Sequence, residues 1–204
     1  MTRKNASILI MALALVWLVT DGESSALKKP VEFSGDLVIT ESNSTIKAKL
    51  YVKGRYIRRV EMSKEAGGMI FIRPPEARGK IWMLDPVKKQ YSILSWPQIH
   101  KDPVEAWTGI QYDMAGGPVG EGNISGHPCT IFHFKYKGQD KIALKMWLAE
   151  DLKYTIKREA DAKITVENGA APVAIKGTFE ILNIRKGKLD DALFEIPSGY
   201  VERK

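Results

Sequence analysis

The amino-acid sequence predicts a mostly β fold of the α+β class, with about ten or eleven antiparallel strands and one or two helices. Apolar and polar residues alternate along successive segments, and this period of two is typical of half-buried strands. Short breaks rich in Gly, Pro and Asp separate the segments, which is the spacing of hairpins in an antiparallel sheet. One stretch, residues 97–118, interrupts the alternation with a helical pattern.

The first 26 residues have the layout of a secretory signal peptide. Arg3 and Lys4 precede an apolar run from Ile8 to Val19, and the small residues Ser24–Ala26 follow it. A membrane-spanning helix needs about 20 apolar residues, which is more than this run provides. We therefore expect cleavage after about Ala26 and a periplasmic or secreted product. Since no cysteine lies near the cleavage site, we expect no attached lipid.

The remaining residues, 27–204, are about the size of one domain. The chain carries a formal net charge of +7, and its basic residues are scattered over the predicted strands. With an export signal, nucleic acid is not an expected partner, whereas diffuse positive charge favours peripheral contact with anionic lipid headgroups. The single cysteine, Cys129, cannot form an internal disulfide, so the core must stabilise the fold.

Six strands are predicted before residue 95. In the second of them Ala48, Leu50 and Val52 alternate with lysine and tyrosine, as in a sheet with one apolar and one solvent-exposed side. Asp85–Lys89 contains the turn residues of a hairpin, and the prolines after Arg73 exclude a paired central strand there. The six predicted strands are Phe33–Ile39, Ile46–Val52, Tyr56–Met62, Met69–Ile72, Lys80–Leu84 and Gln90–Leu94.

The stretch that interrupts the strands predicts a helical lid. Asp102 is a good N-cap, and Pro103 suits the first helical position. Trp107, Ile110 and Met114 recur at three- and four-residue steps, which is the apolar stripe of a helix, and a Gly-Gly-Pro run ends it. We expect this short helix to lie across one face of the sheet.

A meander of three strands is predicted between Gly126 and Ala160. Its first two strands each place apolar residues on one face, and turn-forming residues separate all three. A short strand at Ala162–Val166 and a long one at Val173–Ile184 follow, before the C-terminal segment Leu189–Tyr200.

The residues offer little for catalysis or metal binding. His127, Cys129 and His133 share one strand face, but residues four apart on a strand are separated by roughly 13 Å, so Cys129 and His133 cannot hold one ion. The adjacent carboxylates Glu150–Asp151 and Asp190–Asp191 lie in turn-like contexts and point apart. Without a Gly-x-Ser-x-Gly turn or a phosphate-binding glycine loop, we predict no enzyme and no cofactor.

Large aromatic and methionine side chains are the remaining candidates for a site. They would either fill an ordinary core or line a pocket for acyl chains, because a curved sheet under a thin lid cannot fill its own concavity. In the second case the ligand-binding residues are those of the apolar sheet face and the lid: Trp107, Ile110, Met114, Phe132, Phe134, Ile142, Leu144, Met146 and Leu148.

Several short motifs occur in an order that resembles the LolA-like periplasmic lipoprotein carriers, and more closely an uncharacterised exported branch of them. The resemblance spans most of residues 30–200. Its motifs are Ile81–Pro86 followed by Gln90–Tyr91, then Gly126–Cys129, Trp147–Leu152 and Leu193–Tyr200.

The resemblance implies a strongly curved antiparallel sheet, an unclosed β-barrel, with helices over its mouth. It also implies a non-enzymatic periplasmic protein that binds or carries lipid or lipoprotein acyl chains. The alternative is an envelope protein-interaction or sensor module whose core is filled by its own side chains and which takes no ligand.

Overall fold

Twelve β-strands form one sheet in the computed structural model, which describes residues 31–41, 44–54, 57–74, 79–95, 114–136, 141–164 and 173–203. The predicted signal peptide lies outside these residues, so its cleavage stays a prediction. The strands are β1 Glu32–Glu41, β2 Ser44–Lys53, β3 Arg58–Met62, β4 Ile70–Arg73, β5 Lys80–Asp85, β6 Gln90–Ser95, β7 Met114–Ile124, β8 His127–Tyr136, β9 Ile142–Ala149, β10 Tyr154–Ile164, β11 Val173–Lys186 and β12 Val201–Glu202.

The strand order shows a curved sheet that does not close. From one edge to the other it is β12-β6-β5-β4-β3-β2-β1-β11-β10-β9-β8-β7. Neighbouring strands are antiparallel except β12 and β6, which are parallel. The two meanders β1–β6 and β7–β11 are joined by the pairing of β1 with β11. The predicted mostly β, antiparallel and unclosed architecture is therefore confirmed.

Most of the core lies on one side of the sheet, which we call the inner face. Directly paired residues of neighbouring strands point to the same side, so the register identifies its members. Leu37 pairs with Ile181 across β1 and β11, and Val60 pairs with Phe71 across β3 and β4. Both pairs belong to one continuous cluster of buried residues that extends across the two meanders. The period of two seen in the sequence thus buries one face.

The opposite side, the outer face, is covered at one place by the C-terminal segment. A 3₁₀ helix at Asp191–Phe194 places Phe194 against Ile72 and Leu84 in a second buried cluster. Arg59 Nη1 donates to the carbonyl oxygen of Leu193 at 3.0 Å and fixes this segment to β3. The C-terminal motif on which the resemblance partly rests, Leu193–Tyr200, therefore begins with residues that pack against the outer face.

The predicted helical lid is not supported. Met114–Pro118, which were predicted to end the lid, are the first residues of β7 and pair with β8. The helices found within the described ranges are short 3₁₀ turns, and residues 96–113 lie outside those ranges. A Cβ on Gly116 would come within 2.0 Å of the His133 carbonyl oxygen, so this glycine permits close strand pairing and is not a helix terminator. Pro118 is tolerated because β7 is an edge strand.

Two other strand predictions need correction. Residues 162–164 of the strand predicted at Ala162–Val166 are the end of β10, which runs from Tyr154 to Ile164, and the last two residues of that prediction lie outside the described ranges. The short β12, at Val201–Glu202, was not predicted, because two residues are too few to show an alternation.

Within the described ranges, no helix is long and apolar enough to cross a membrane.

A substitution at Gly177 tests the close pairing of β1 with β11, which joins the two meanders. It pairs with Glu41 across β1 and β11, and a Cβ added to it would come within 1.9 Å of the Thr40 carbonyl oxygen. We expect Gly177→Ala to lower the free energy of unfolding by about 1–3 kcal/mol, because backbone must shift to relieve the clash.

Chemical denaturation followed by circular dichroism measures this loss. Gly187→Ala is the matched control, since its Cβ would meet nothing within 4 Å. We expect this control to change stability by less than about 0.5 kcal/mol. Equal stability of the two variants would contradict the close β1–β11 approach.

Candidate functional site

The inner face of β8 and β9 holds five of the residues predicted to bind a ligand. Phe132 pairs with Met146, and Phe134 pairs with Leu144. Leu144 is fully buried and Met146 is 9% exposed, whereas both phenylalanines are half-buried. The two phenylalanine rings lie parallel, with centroids 6.3 Å apart. Leu148 is also half-buried, near the end of β9. Of these side chains, Leu144 and Met146 belong to the main core and Phe132 and Phe134 pack against it, so these four form an apolar surface at its margin.

Ile142 departs from the predicted alternation. A β-bulge at Ala143 makes Ile142 pair with Lys135, an exposed residue of β8 that follows Phe134. Paired residues lie on the same side of the sheet, so Ile142 is on the side of Lys135. The next two residues, Ala143 and Leu144, are both buried, as expected at a bulge. A bulge inserts one residue without changing the hydrophobic composition, and for that reason the sequence pattern did not indicate it.

Of the three residues predicted to bind from the lid, Met114 alone lies within the described residues. Trp107 and Ile110 lie outside the described residues, and their role stays a prediction. Met114 is the first residue of β7 and pairs with Tyr136, so it belongs to the sheet and not to a helix.

A small cavity lies where β9 and β10 diverge. Its volume is about 150 Å³, and it is lined by Ile142, Leu144 and Ala160 together with the charged residues Lys145, Glu159 and Asp161 and with Ala143. Sites for small molecules usually have volumes of about 300–1,000 Å³. As it stands, this cavity can hold the end of an alkyl chain but not a whole acyl chain.

His127 and Cys129 have structural contacts. His127 Nδ1 lies 2.9 Å from Asp151 Oδ2, and Lys186 also pairs with Asp151. Cys129 is buried, and its thiol donates to the His127 carbonyl oxygen at 3.3 Å. Burial raises the pKa of Cys129, which disfavours a nucleophilic thiolate. In the part of the chain that is described, no group of three or more His, Cys, Asp or Glu could hold a metal ion.

The adjacent carboxylates likewise have local roles. Asp190 caps the 3₁₀ helix, because its side chain accepts from the backbone N–H of Ala192 at 3.0 Å. Glu150 accepts from the hydroxyl of Thr130 at 2.9 Å. These contacts stabilise the segments in which the carboxylates lie.

Three buried arginines were not among the predicted site residues. Arg58, Arg59 and Arg158 are 5%, 9% and 8% exposed. Arg58 alternates with Val60, and Arg158 pairs with Met146, so both lie on the inner face. The alternation in the sequence already placed Arg58 with Val60, and this is the signal that could have identified it.

The fold and this surface together define a class: a β domain made of one unclosed sheet, with an apolar inner face that carries buried arginines. The chain belongs to the family named domain of unknown function DUF4412, whose sequence pattern matches residues 33–158. No curated protein sequence matches the chain.

Solved structures with a similar fold include MucB in the Pseudomonas aeruginosa MucA/MucB complex, at 17% identity and a TM-score of 0.51. That match covers 81% of this chain and 56% of MucB. An uncharacterised conserved protein of Thermus thermophilus matches at 12% identity and a TM-score of 0.53, over 93% of this chain and 99% of that one. A LolA superfamily protein of Nitrosomonas europaea matches at 9% identity and a TM-score of 0.37, over 83% of this chain and 91% of that one.

These matches bear on family and fold. The match to DUF4412 confirms the predicted membership of a domain-of-unknown-function family, and the solved structures with TM-scores above 0.5 show a similar fold. The chain spans 56–64% of the MucB chains that it matches, so it corresponds to part of MucB. Function has to be argued from the residues themselves.

The Asp151 cluster gives a testable dependence of stability on pH. Burial alone would raise the pKa of Asp151, but hydrogen bonds from Lys186 and His127 outweigh it and lower the pKa below its usual 3.8. A carboxyl with a lowered pKa stabilises the fold above its unfolded pKa, and this contribution is lost as the pH falls through the folded value. We expect Asp151→Asn to lower the free energy of unfolding at neutral pH by about 1–2 kcal/mol and to flatten its decline below about pH 4.

Urea unfolding measured across this pH range checks the expectation. Asp161→Asn is the matched control, because Lys141 also lowers the pKa of Asp161 but both side chains of this pair are well exposed. We expect the control to lose less than about 1 kcal/mol. An unchanged acid profile in Asp151→Asn would show that the cluster does not stabilise the fold.

Proposed function

We propose that residues 27–204 form a single, non-enzymatic domain of the cell envelope that binds a hydrophobic ligand on its inner face. The ligand class is a lipid or lipoprotein acyl chain. The observation that carries this proposal is the margin of half-buried apolar side chains around the core, among which Phe132, Phe134, Met62 and Met83 belong to the inner face.

The chemistry of these side chains suits a chain-like ligand. Each methylene buried from water contributes ~0.8 kcal/mol, so even part of an acyl chain gives useful affinity. Methionine side chains are flexible and polarizable, and they adapt to ligands of different shape. A sheet that remains unclosed can also change its curvature more easily than a closed barrel, because its edge strands β7 and β12 are not hydrogen-bonded to each other.

The proposed location follows from the first residues of the chain. Their layout is that of a signal peptide, which directs the domain to the periplasm or the cell exterior. The formal charge of +7 favours peripheral contact with anionic membrane surfaces.

A second candidate function is an envelope protein-interaction module without a ligand. The small volume of the cavity between β9 and β10 favours it, since that cavity does not hold a whole acyl chain. The similar fold of MucB in a complex with MucA also supports it. In this case a protein partner would bind the domain, and the half-buried phenylalanines would serve only the core.

Substitutions on the two faces distinguish these functions. We expect Phe132→Ala to weaken the binding of a fluorescent fatty acid at least fivefold, because it removes a ring from the inner face next to Met146. Tyr91→Ala is the matched control, since Tyr91 is a half-buried aromatic of the outer cluster. The control should bind the probe as the parent does.

Fluorescence titration gives the affinities, and circular dichroism confirms that both variants remain folded. Binding that is weakened equally by both substitutions would place the ligand elsewhere. Failure of the parent chain to bind any acyl probe would leave the interaction module as the function.

A further inference from the structure

The strands β9 and β10 diverge while both are still part of the sheet. Their pairing ends with Leu144 opposite Ala160. Beyond this pair, Ile142 of β9 stays with β8, where it is opposite Lys135, while residues 161–164 of β10 stay paired with β11. We call the resulting gap the fork. The small cavity between β9 and β10 lies in it.

The fork is continuous with the apolar surface of β8 and β9. Leu144 is opposite Ala160 on one side and opposite Phe134 on the other. Directly paired residues point to the same side of a sheet, so these three side chains form one row on the inner face. Two strand spacings, about 10 Å, separate the ends of this row. An alkyl chain that lies against Phe134 therefore reaches the fork by crossing Leu144 alone.

Small apolar residues create the space in the fork. Ala143 and Ala160 are 3% and 6% exposed, and both line the cavity. Protein interiors are normally packed with few voids larger than a water molecule. A cavity of about 150 Å³ beside the fully buried Leu144 is therefore space that larger side chains at the two alanine positions would fill.

The charged residues of the fork pair with one another across it. Lys145 Nζ lies 3.9 Å from Glu159 Oε2, and Lys141 Nζ lies 2.6 Å from Asp161 Oδ2. Each carboxylate that lines the cavity thus has a lysine beside it, and the fork does not require a charged ligand. The rest of the lining is alkyl, which suits an apolar group.

We propose that the fork receives the distal end of an acyl chain, and that Ala160 and Ala143 determine the chain length that fits. This inference rests on the proposed function and adds specificity-determining residues to the same site. The cavity has room for only a few methylenes, so the rest of the chain lies along the inner face over Leu144 and Phe134. Each methylene that is buried or excluded changes the affinity about fourfold.

Filling the fork tests the proposal. Unlabelled saturated fatty acids, from octanoic to octadecanoic, are titrated against a fluorescent fatty acid bound to the exported chain or to Ala160→Leu. Leucine adds three carbon atoms, so we expect the length beyond which affinity stops rising to fall by about three carbons. Longer acids should bind the variant at least tenfold more weakly, whereas acids below that length should bind both proteins equally.

Two further variants complete the design. Ala143→Val adds two carbon atoms at the opposite wall and should shorten the preferred length by about two carbons, which decides the matter if Ala160→Leu does not fold. Ala48→Leu is the matched control, because Ala48 is 8% exposed in the same core, on a strand that β1 and β11 separate from β10. It should keep the length dependence of the parent.

The outcomes separate this inference from the function on which it rests. A loss of affinity in Ala160→Leu that is equal at all chain lengths would show a general disturbance of the core and overturn the fork as the site of the chain end. An unchanged length dependence in both fork variants would also overturn it and leave acyl binding in place. If the parent binds none of the acids, the proposed function fails and the inference with it.

Discussion

The pairing of β1 with β11 is the contact on which the rest of the structure depends. It joins two meanders, each of which has an apolar side, into one sheet with one inner face. Leu37 and Ile39 of β1 lie opposite Ile181 and Phe179 of β11, and all four are buried. Without this pairing each meander would expose its apolar side to water. Because Gly177, at the end of the pair, has no Cβ, the two backbones can approach closely.

One face of a single sheet then has to serve both stability and any binding. Here the fully buried positions, such as Leu144, lie beside positions that remain half-buried, such as Phe134. In the proposed function, the second group forms the margin at which a ligand or a partner would enter. On the outer face, the segment around Phe194 covers Ile72 and Leu84 with residues of the same chain.

The sequence predicted those parts of the fold that depend on the alternation of apolar and polar residues. β1 and β2 were recognised because their buried residues recur at every second position. β3 to β6 were recognised as short apolar segments between turns, and β8 and β9 from the alternation of apolar and polar residues in their sequence. β7 was missed, since its glycines and Pro118 are also the residues that end helices, and only the register with β8 shows that they belong to an edge strand. The bulge at Ala143, which separates Ile142 from Leu144, has no signature in composition.

The candidate site was predictable to a similar extent. Phe132, Phe134, Leu144 and Met146 follow from the pattern of their own strands, and the structure pairs them across β8 and β9. The fork between β9 and β10 could not be predicted in this way, because it depends on which strands the residues beyond Leu144 and Ala160 pair with. Long-range register of this kind is determined by the turns and the whole sheet, and not by the local sequence.

The most direct test of a ligand on the inner face is native mass spectrometry of the exported chain, purified without detergent from the envelope of the cells that make it. We expect a mass above that of the polypeptide, and organic extraction should release a lipid or a lipopeptide. A mass equal to that of the polypeptide alone, from a protein that also takes up no added fatty acid, would contradict it.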